Sequence, residues 1–304
     1  MSRGGALAEL SLTLVGPGRV GTSLALWAVA AGASLAAVAR RRPDQLLHPL
    51  LAARVGAVTP LAELASAGQD LLLLAVPDAA VGTVAAQLAN RGQARVALHT
   101  AGALDAEALA PLRRAGSAVG GLHPLRAFPG ALPDPALAAA TFFALQGDRA
   151  ALRLGHALAA AWGATAAEVA ADHRPLYHLA ATLAAGGVTT LAAAAAGVAG
   201  AVGLPREVAG GYLELARGAL ALADPGEPAA AITGPAARGD SRYLDQLAAL
   251  RRHQPRLHPL VVLLALESLH RLQRGAPLSA AQEHLRRALL DLCRDPQFLH
   301  PLFG

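Results

Sequence analysis

The sequence predicts an α/β fold: a doubly wound, mainly parallel sheet followed by an all-helical C-terminal domain. Three observations carry that reading. Residues 12–31 run from an aliphatic, β-branched stretch through three glycines into an apolar helix-like stretch. Up to about residue 170, short apolar runs alternate with helix-like segments, the pattern of parallel strands joined by crossover helices. After Asp172 this alternation gives way to long Ala/Leu-rich periodicities. The two domains are therefore placed at residues 1–170 and 171–304.

In order, strands are expected at residues 10–15, 34–38, 55–58, 70–76, 95–98, 118–122 and 141–145, with one more at 164–169. Helices are expected near 20–31, 79–89 and 105–115. In the second domain, Gly203-Leu204-Pro205, Asp224-Pro225-Gly226 and Gly234-Pro235 break the helical periodicity. Residues 179–204 carry no charge and are long enough to span a bilayer. They are mostly Ala, Gly and Thr, which gain little from lipid, so the segment reads instead as a helix packed among other helices and buried between subunits.

Composition narrows the function. With 304 residues, 54% hydrophobic and only 3% aromatic, the cores must pack Ala, Leu and Val at close helix approach. Every basic side chain is Arg, so no lysine can act as general acid or Schiff base. The net charge of +5 is spread along the chain and forms no nucleic-acid stripe. Cys293 is the single cysteine, which excludes an intramolecular disulfide framework and a multi-cysteine metal site and fits a reducing cytoplasm. The first ten residues lack the basic and apolar regions of an export signal, so a cytoplasmic protein is expected.

Gly16, Gly18 and Gly21 stand at G-x-G-x-x-G spacing between a strand and a helix. This is the fingerprint of Rossmann dinucleotide binding: a tight turn at Gly16, close approach to the phosphates at Gly18, and helix-on-strand packing at Gly21. Main-chain N–H groups of Gly18, Arg19 and Val20 at the helix start would face the pyrophosphate, with Pro17 shaping the turn of the same cofactor site. After the second strand, an NAD site usually has a carboxylate for the ribose hydroxyl. This chain has Arg40-Arg41-Arg42 there, which favours the 2′-phosphate of NADP(H). The run ending in Val76-Pro77-Asp78 reaches the cofactor crevice, with Asp78 expected to cap the next helix. His99-Thr100 and His123 are polar interruptions at strand C-termini, where open α/β sheets bind ligands; His99 is read as a cofactor contact and Thr100 as a substrate contact.

Taken together, Val-Pro-Asp, His-Thr-x-Gly-Ala-Leu, Leu-His-Pro-Leu-x-x-Phe, Tyr177-His178 and Thr233-Gly-Pro-Ala-Ala-Arg-Gly-Asp240 resemble a family of Rossmann-like proteins with a helical C-terminal domain of unknown function. That family is similar to ketopantoate reductase, pyrroline-5-carboxylate reductase and the β-hydroxyacid dehydrogenases. The resemblance implies NAD(P)-dependent hydride transfer and a helix-mediated homodimer. It also implies a polar residue where this chain has Ala101, and a substrate contact from the long helix at Gly186, where relatives carry Asn.

Reduction of a carbonyl or imine needs a proton donor at the developing anion. His178 is the first candidate and His123 the second. Arg238, between small residues at a helix entrance, is placed to clamp a substrate carboxylate, and Asp240 reads as a helix N-cap. The expected activity is an NADP(H)-dependent reductase of a small carboxylate bearing a ketone, ketopantoate-like 2-keto acids first, or an imine. The competing expectation is a dinucleotide-binding sensor without catalysis, favoured by Ala101 and Gly186.

Overall fold

The computed structural model describes residues 7–40, 46–64, 68–92 and 94–302. Eight strands form a single sheet: β1 Ser11–Val15, β2 Ser34–Arg40, β3 Val55–Pro60, β4 Leu71–Leu74, β5 Val96–His99, β6 Ala118–Leu125, β7 Phe142–Gly147 and β8 Thr165–Glu168. Their order is β3-β2-β1-β4-β5-β6-β7-β8, and every neighbouring pair is parallel except β6 and β7. All eight expected strands are present. Strand β4 is an unbroken run of four buried leucines, the composition of a strand covered on both faces.

Helices α1 Arg19–Ala30, α2 Pro49–Ala52, α3 Asp78–Leu88, α4 Ala110–Arg114, α5 Pro135–Ala139, α6 Arg149–Ala161 and α7 Arg174–Thr182 accompany the sheet. One face packs Leu24 and Trp27 of α1 and Leu158 of α6, with Trp162, against the strands. Val81 and Leu88 of α3 and Leu112 of α4 cover the other face. The scarce aromatic residues are concentrated in the first layer, where Trp27 lies 6.1 Å from Trp162 and 6.0 Å from Phe128. Helix α6 was not among the expected elements. Its buried stripe is Ala151, Gly155, Leu158 and Ala159, opposite the exposed Arg149, Arg153 and His156.

A π-helical turn, Leu183–Gly187, follows α7, and then come α8 Val188–Ala201, α9 Glu207–Ala221, α10 Pro235–Arg238, α11 Tyr243–His253, α12 His258–Gln273 and α13 Ala280–Cys293. Contacts divide the chain into one compact unit ending at Ala185 and another beginning at Gly186. Helix α7 thus belongs with the sheet, one helix beyond the composition change near residue 170.

The core of the second unit is Leu247, Val262, Ala265, Leu269, Leu285, Leu289 and Phe298, from α11, α12, α13 and the segment after α13. Ser279 and Gln282 form a reciprocal capping box at the start of α13. Helices α8 and α9 contribute almost nothing to this core: Ala199 is the one buried residue of α8, and α9 has none. The helical run Ala171–Ala201 is long and apolar enough to cross a membrane, and Leu179 is 54% and Leu183 65% exposed.

Candidate functional site

The glycine turn has the geometry that a pyrophosphate cradle needs. Gly16 has φ +89°, a left-handed conformation, and a Cβ there would lie 2.5 Å from the Ala75 carbonyl oxygen and 2.9 Å from a Val76 methyl. A Cβ at Gly21 would collide with the Gly16 carbonyl, so helix and strand meet there without room for a side chain. Gly18 is the opposite case, exposed with nothing within 4 Å of a Cβ, an open approach to the backbone. It caps α1 without a side-chain hydrogen bond and no acidic residue occupies the first turn, so the positive end of a twelve-residue helix faces that opening. Pro17 is buried beneath the turn, Val20 packs on the core, and Arg19 reaches across to the Pro129 carbonyl at 3.4 Å. These residues fit a dinucleotide.

Other cofactor candidates divide. Arg40 ends β2, the strand beside β1, where a ribose substituent would sit. Arg41 and Arg42 lie outside the described residues. Pro77 is the N-cap of α3, and Asp78 is its first helical residue without a side-chain cap, so Asp78 complements the helix dipole rather than capping as expected. His99 also departs from expectation. Its ring is fully buried, Nδ1 accepts the Ala101 N–H at 3.2 Å, and Nε2 donates to the Asp105 carbonyl at 3.0 Å. Both nitrogens are used within the protein, so the side chain shapes the loop after β5 and leaves nothing for a cofactor. Burial, reinforced by the charge of Arg174, pushes His99 down to about 4.

That loop is the floor of a second cluster. His123, from β6, places its Nδ1 2.7 Å from the Tyr177 hydroxyl rather than against a backbone carbonyl, and the two rings meet edge to face. The His123 and His178 rings stand 5.7 Å apart. Between them lies Gly102, where a Cβ would strike His178 Nδ1 and come within 2.9 Å of His123 Nε2. Gly102 therefore makes room for two imidazoles. Thr100, which donates its N–H to the Leu74 carbonyl, is half-buried directly after β5.

The chemistry of the two rings differs. Burial, and then the charge of Arg174, pushes His123 down to about 4, so it is neutral at physiological pH. A neutral imidazole nitrogen accepts better than a phenol oxygen, so Tyr177 donates to Nδ1 and the ring proton stays on Nε2. His178 Nδ1 is buried and has no partner among the described residues. A buried polar atom without a partner calls for one, and beside His123 and Gly102 a bound water or a ligand group would supply it.

The sequence-predicted residues thus fall into two sets. Gly16, Val76, Thr100, His123 and His178 all belong to the first unit, the first four at the C-terminal edge of the sheet. Arg238 is exposed at the end of α10 in the second unit. Its motif is structural in part: Gly234 and Gly239 both have positive φ, and a Cβ at Gly239 would lie 2.5 Å from the Gln282 nitrogen, so α13 can approach. Asp240 accepts the Arg242 N–H at 3.1 Å three residues ahead of α11 and is not its N-cap, which is Arg242. Gly186 is exposed in the π-helical turn. Sequence reasoning assigned no role to Gly102, Arg174 or Tyr177, and the available signals were the glycine of His-Thr-x-Gly and the Arg-Pro pair that opens α7.

A family model for a Rossmann-like domain matches residues 3–124, and that of DUF2520, a domain of unknown function, matches residues 141–267. No curated protein matches the sequence. Among solved structures, a Bacteroides fragilis protein provisionally described as an NADP oxidoreductase superposes with a TM-score of 0.68 at 21% identity, over 86% of this chain and 98% of its own. Pyrroline carboxylate reductase of Plasmodium falciparum, solved with NADP bound, gives 0.56 at 13% identity, over 93% and 99%. An imine reductase of Streptomyces aurantiacus gives 0.52 at 15% identity, over 93% and 94%. At these identities the likeness is one of fold. The chain therefore joins a Rossmann-like domain to a domain of the DUF2520 family.

Proposed function

We propose that the protein is an NADP(H)-dependent oxidoreductase that reduces a small carboxylate bearing a ketone, ketopantoate-like 2-keto acids first, or an imine. One observation carries the reading: the glycine cradle and His123 stand at the same carboxyl edge of one sheet, where dinucleotide sites of this fold form, and α7 brings His178 beside His123 over Gly102. The reductases among the structural neighbours support it. When bound, NADPH supplies the hydride. The backbone at Gly16, Gly18 and the start of α1 holds the pyrophosphate. His178 carries the proton for the substrate oxygen or nitrogen, and His123, held neutral and oriented by Tyr177, offers its Nε2–H as a hydrogen-bond donor to the developing anion. Arg238 and Gly186 remain the proposed substrate contacts of the helical domain.

Steady NADPH oxidation with any member of a panel of 2-keto acids and cyclic imines would support this function. Tight NADPH binding without turnover across that panel would favour a sensor, a second reading motivated by the apolar Ala101 and by Gly186. Because Arg40 begins an arginine run where a carboxylate would favour NAD, NADPH is expected to bind at least ten-fold more tightly than NADH, about 1.4 kcal/mol. Calorimetric titration of both cofactors measures this, and equal affinities would remove the preference.

We also propose a soluble, cytoplasmic homodimer assembled through the helical domain. Helices α8 and α9 hold one buried residue between them and expose Leu191, Leu213, Leu215 and Leu220, an apolar surface that a second copy would cover. Light scattering after detergent-free purification should give twice the chain mass. A monomer at micromolar concentration would end the dimer proposal, and a requirement for detergent would point to a membrane instead.

A further inference from the structure

Arg174 is the first residue of α7, and its side chain is completely buried. Nη2 donates to the Ala101 carbonyl at 2.7 Å and Nε to the Leu104 carbonyl at 3.2 Å. Nη1 is buried without a hydrogen-bond partner, and no carboxylate among the described residues forms an ion pair with the guanidinium; Asp78 and Asp105 act on it only from a distance. A buried cation without a counter-ion works against folding, and groups of this kind concentrate at functional sites.

We propose that Arg174 is the positioning residue of this site: it ties the loop after β5 to α7 and so fixes where His178 and Tyr177 meet His123 over Gly102. The geometry of the tie is specific. His99 holds the Ala101 N–H and the Asp105 carbonyl, while Arg174 holds the Ala101 and Leu104 carbonyls, so the two side chains together grip both ends of the segment that contains Gly102. A planar guanidinium can serve two carbonyls at once, which a lysine ammonium on a flexible stem does poorly. The Arg174 guanidinium carbon also stands 5.7 Å from the centre of the Tyr177 ring, next to the residue that orients His123.

The charge has a second consequence at the same place. The ionisable groups facing His123 are Arg174, Tyr177 and His178 from α7 and His99 from β5; β7 presents Phe143 and Ala144 opposite this part of β6. The only fixed charge in that set is positive, so His123 meets a ligand as a neutral donor while the crevice favours an anionic group. The inference takes from the proposed function only that this crevice is the reacting site.

Its test needs no substrate. In the full-length protein, the imidazole Cε1–H resonances are followed by NMR from pH 4 to 8 in native, Arg174→Lys and Arg174→Gln forms, with His123 assigned by its absence in His123→Asn. Exchange of the Ala101 amide is measured alongside. In the native protein His123 should titrate well below the ordinary histidine value of about 6.5. Arg174→Gln should move its midpoint up towards the ordinary histidine value and speed Ala101 exchange at least ten-fold. Arg174→Lys should keep the low midpoint and speed the exchange. A folded Gln variant with native midpoint and native exchange would overturn the proposal. Should that variant not fold, unchanged Ala101 exchange in the Lys variant, or a native His123 midpoint in the ordinary range, overturns it equally. Failure of the reductase reading would appear as absence of turnover and would leave these readouts untouched.

Discussion

His178→Ala is expected to lower turnover by about a hundred-fold or more, about 2.7 kcal/mol of transition-state stabilisation and within the usual range for a general acid. The protein has no lysine to take the role, Gly186 has no side chain, and His123 has Nδ1 committed to Tyr177 and is neutral at physiological pH. His178 is the ring whose inward nitrogen has no partner. NADPH affinity should change little, because the glycine cradle lies at the end of β1, separated from β5 by β4. His123→Ala should cost less, since it removes a hydrogen-bond donor and leaves the proton source in place. Steady-state rates with NADPH held saturating measure both. Near-native turnover in His178→Ala would make the ring structural and promote His123. Full activity in both variants would mean that water supplies the proton and that catalysis rests on positioning.

The second large effect is on stability against pH. His99 and His123 have folded values of about 4 against an ordinary 6.5, so between those limits the unfolded chain binds protons that the folded chain refuses. Stability is therefore complete above pH 6.5 and falls as pH drops towards 4. For the fully buried His99 alone the loss at pH 5 is about 2 kcal/mol, and His123 adds to it in the same direction. The carboxyls of Asp70 and Asp295, held below the usual range by hydrogen bonds from the Ser11 and Gln297 amides and by Arg95 and Arg251, release their contribution only at still lower pH. The window from pH 6.5 to 5 thus isolates the histidines. Urea unfolding across it should show a steady loss, and a flat profile would mean that neither ring is held neutral by the fold.

What the amino-acid sequence determined by itself is what local chemistry encodes. The strands, the turn at Gly16-Pro17-Gly18 and the helix that follows are written in residues next to one another, because periodicity, glycine freedom and helix starts act over a few positions. The same holds for the helical second half, where the breaks at Gly203 and Asp224 fall after α8 and α9. Helix α6 is legible in the same way, since its buried Ala151, Gly155, Leu158 and Ala159 recur at helical spacing opposite the exposed Arg149, Arg153 and His156.

The tertiary structure decided which polar residues work together. Arg174 meets Ala101 across 73 residues of sequence, and Tyr177 meets His123 across 54. It also reassigned His99 from a cofactor contact to a structural ring, and Gly102 from a loop glycine to the space between two imidazoles. No local pattern contains those pairings. A side chain's hydrogen-bond partners and its protonation depend on burial and on charges brought by distant segments, and these exist only once the sheet and α7 have packed.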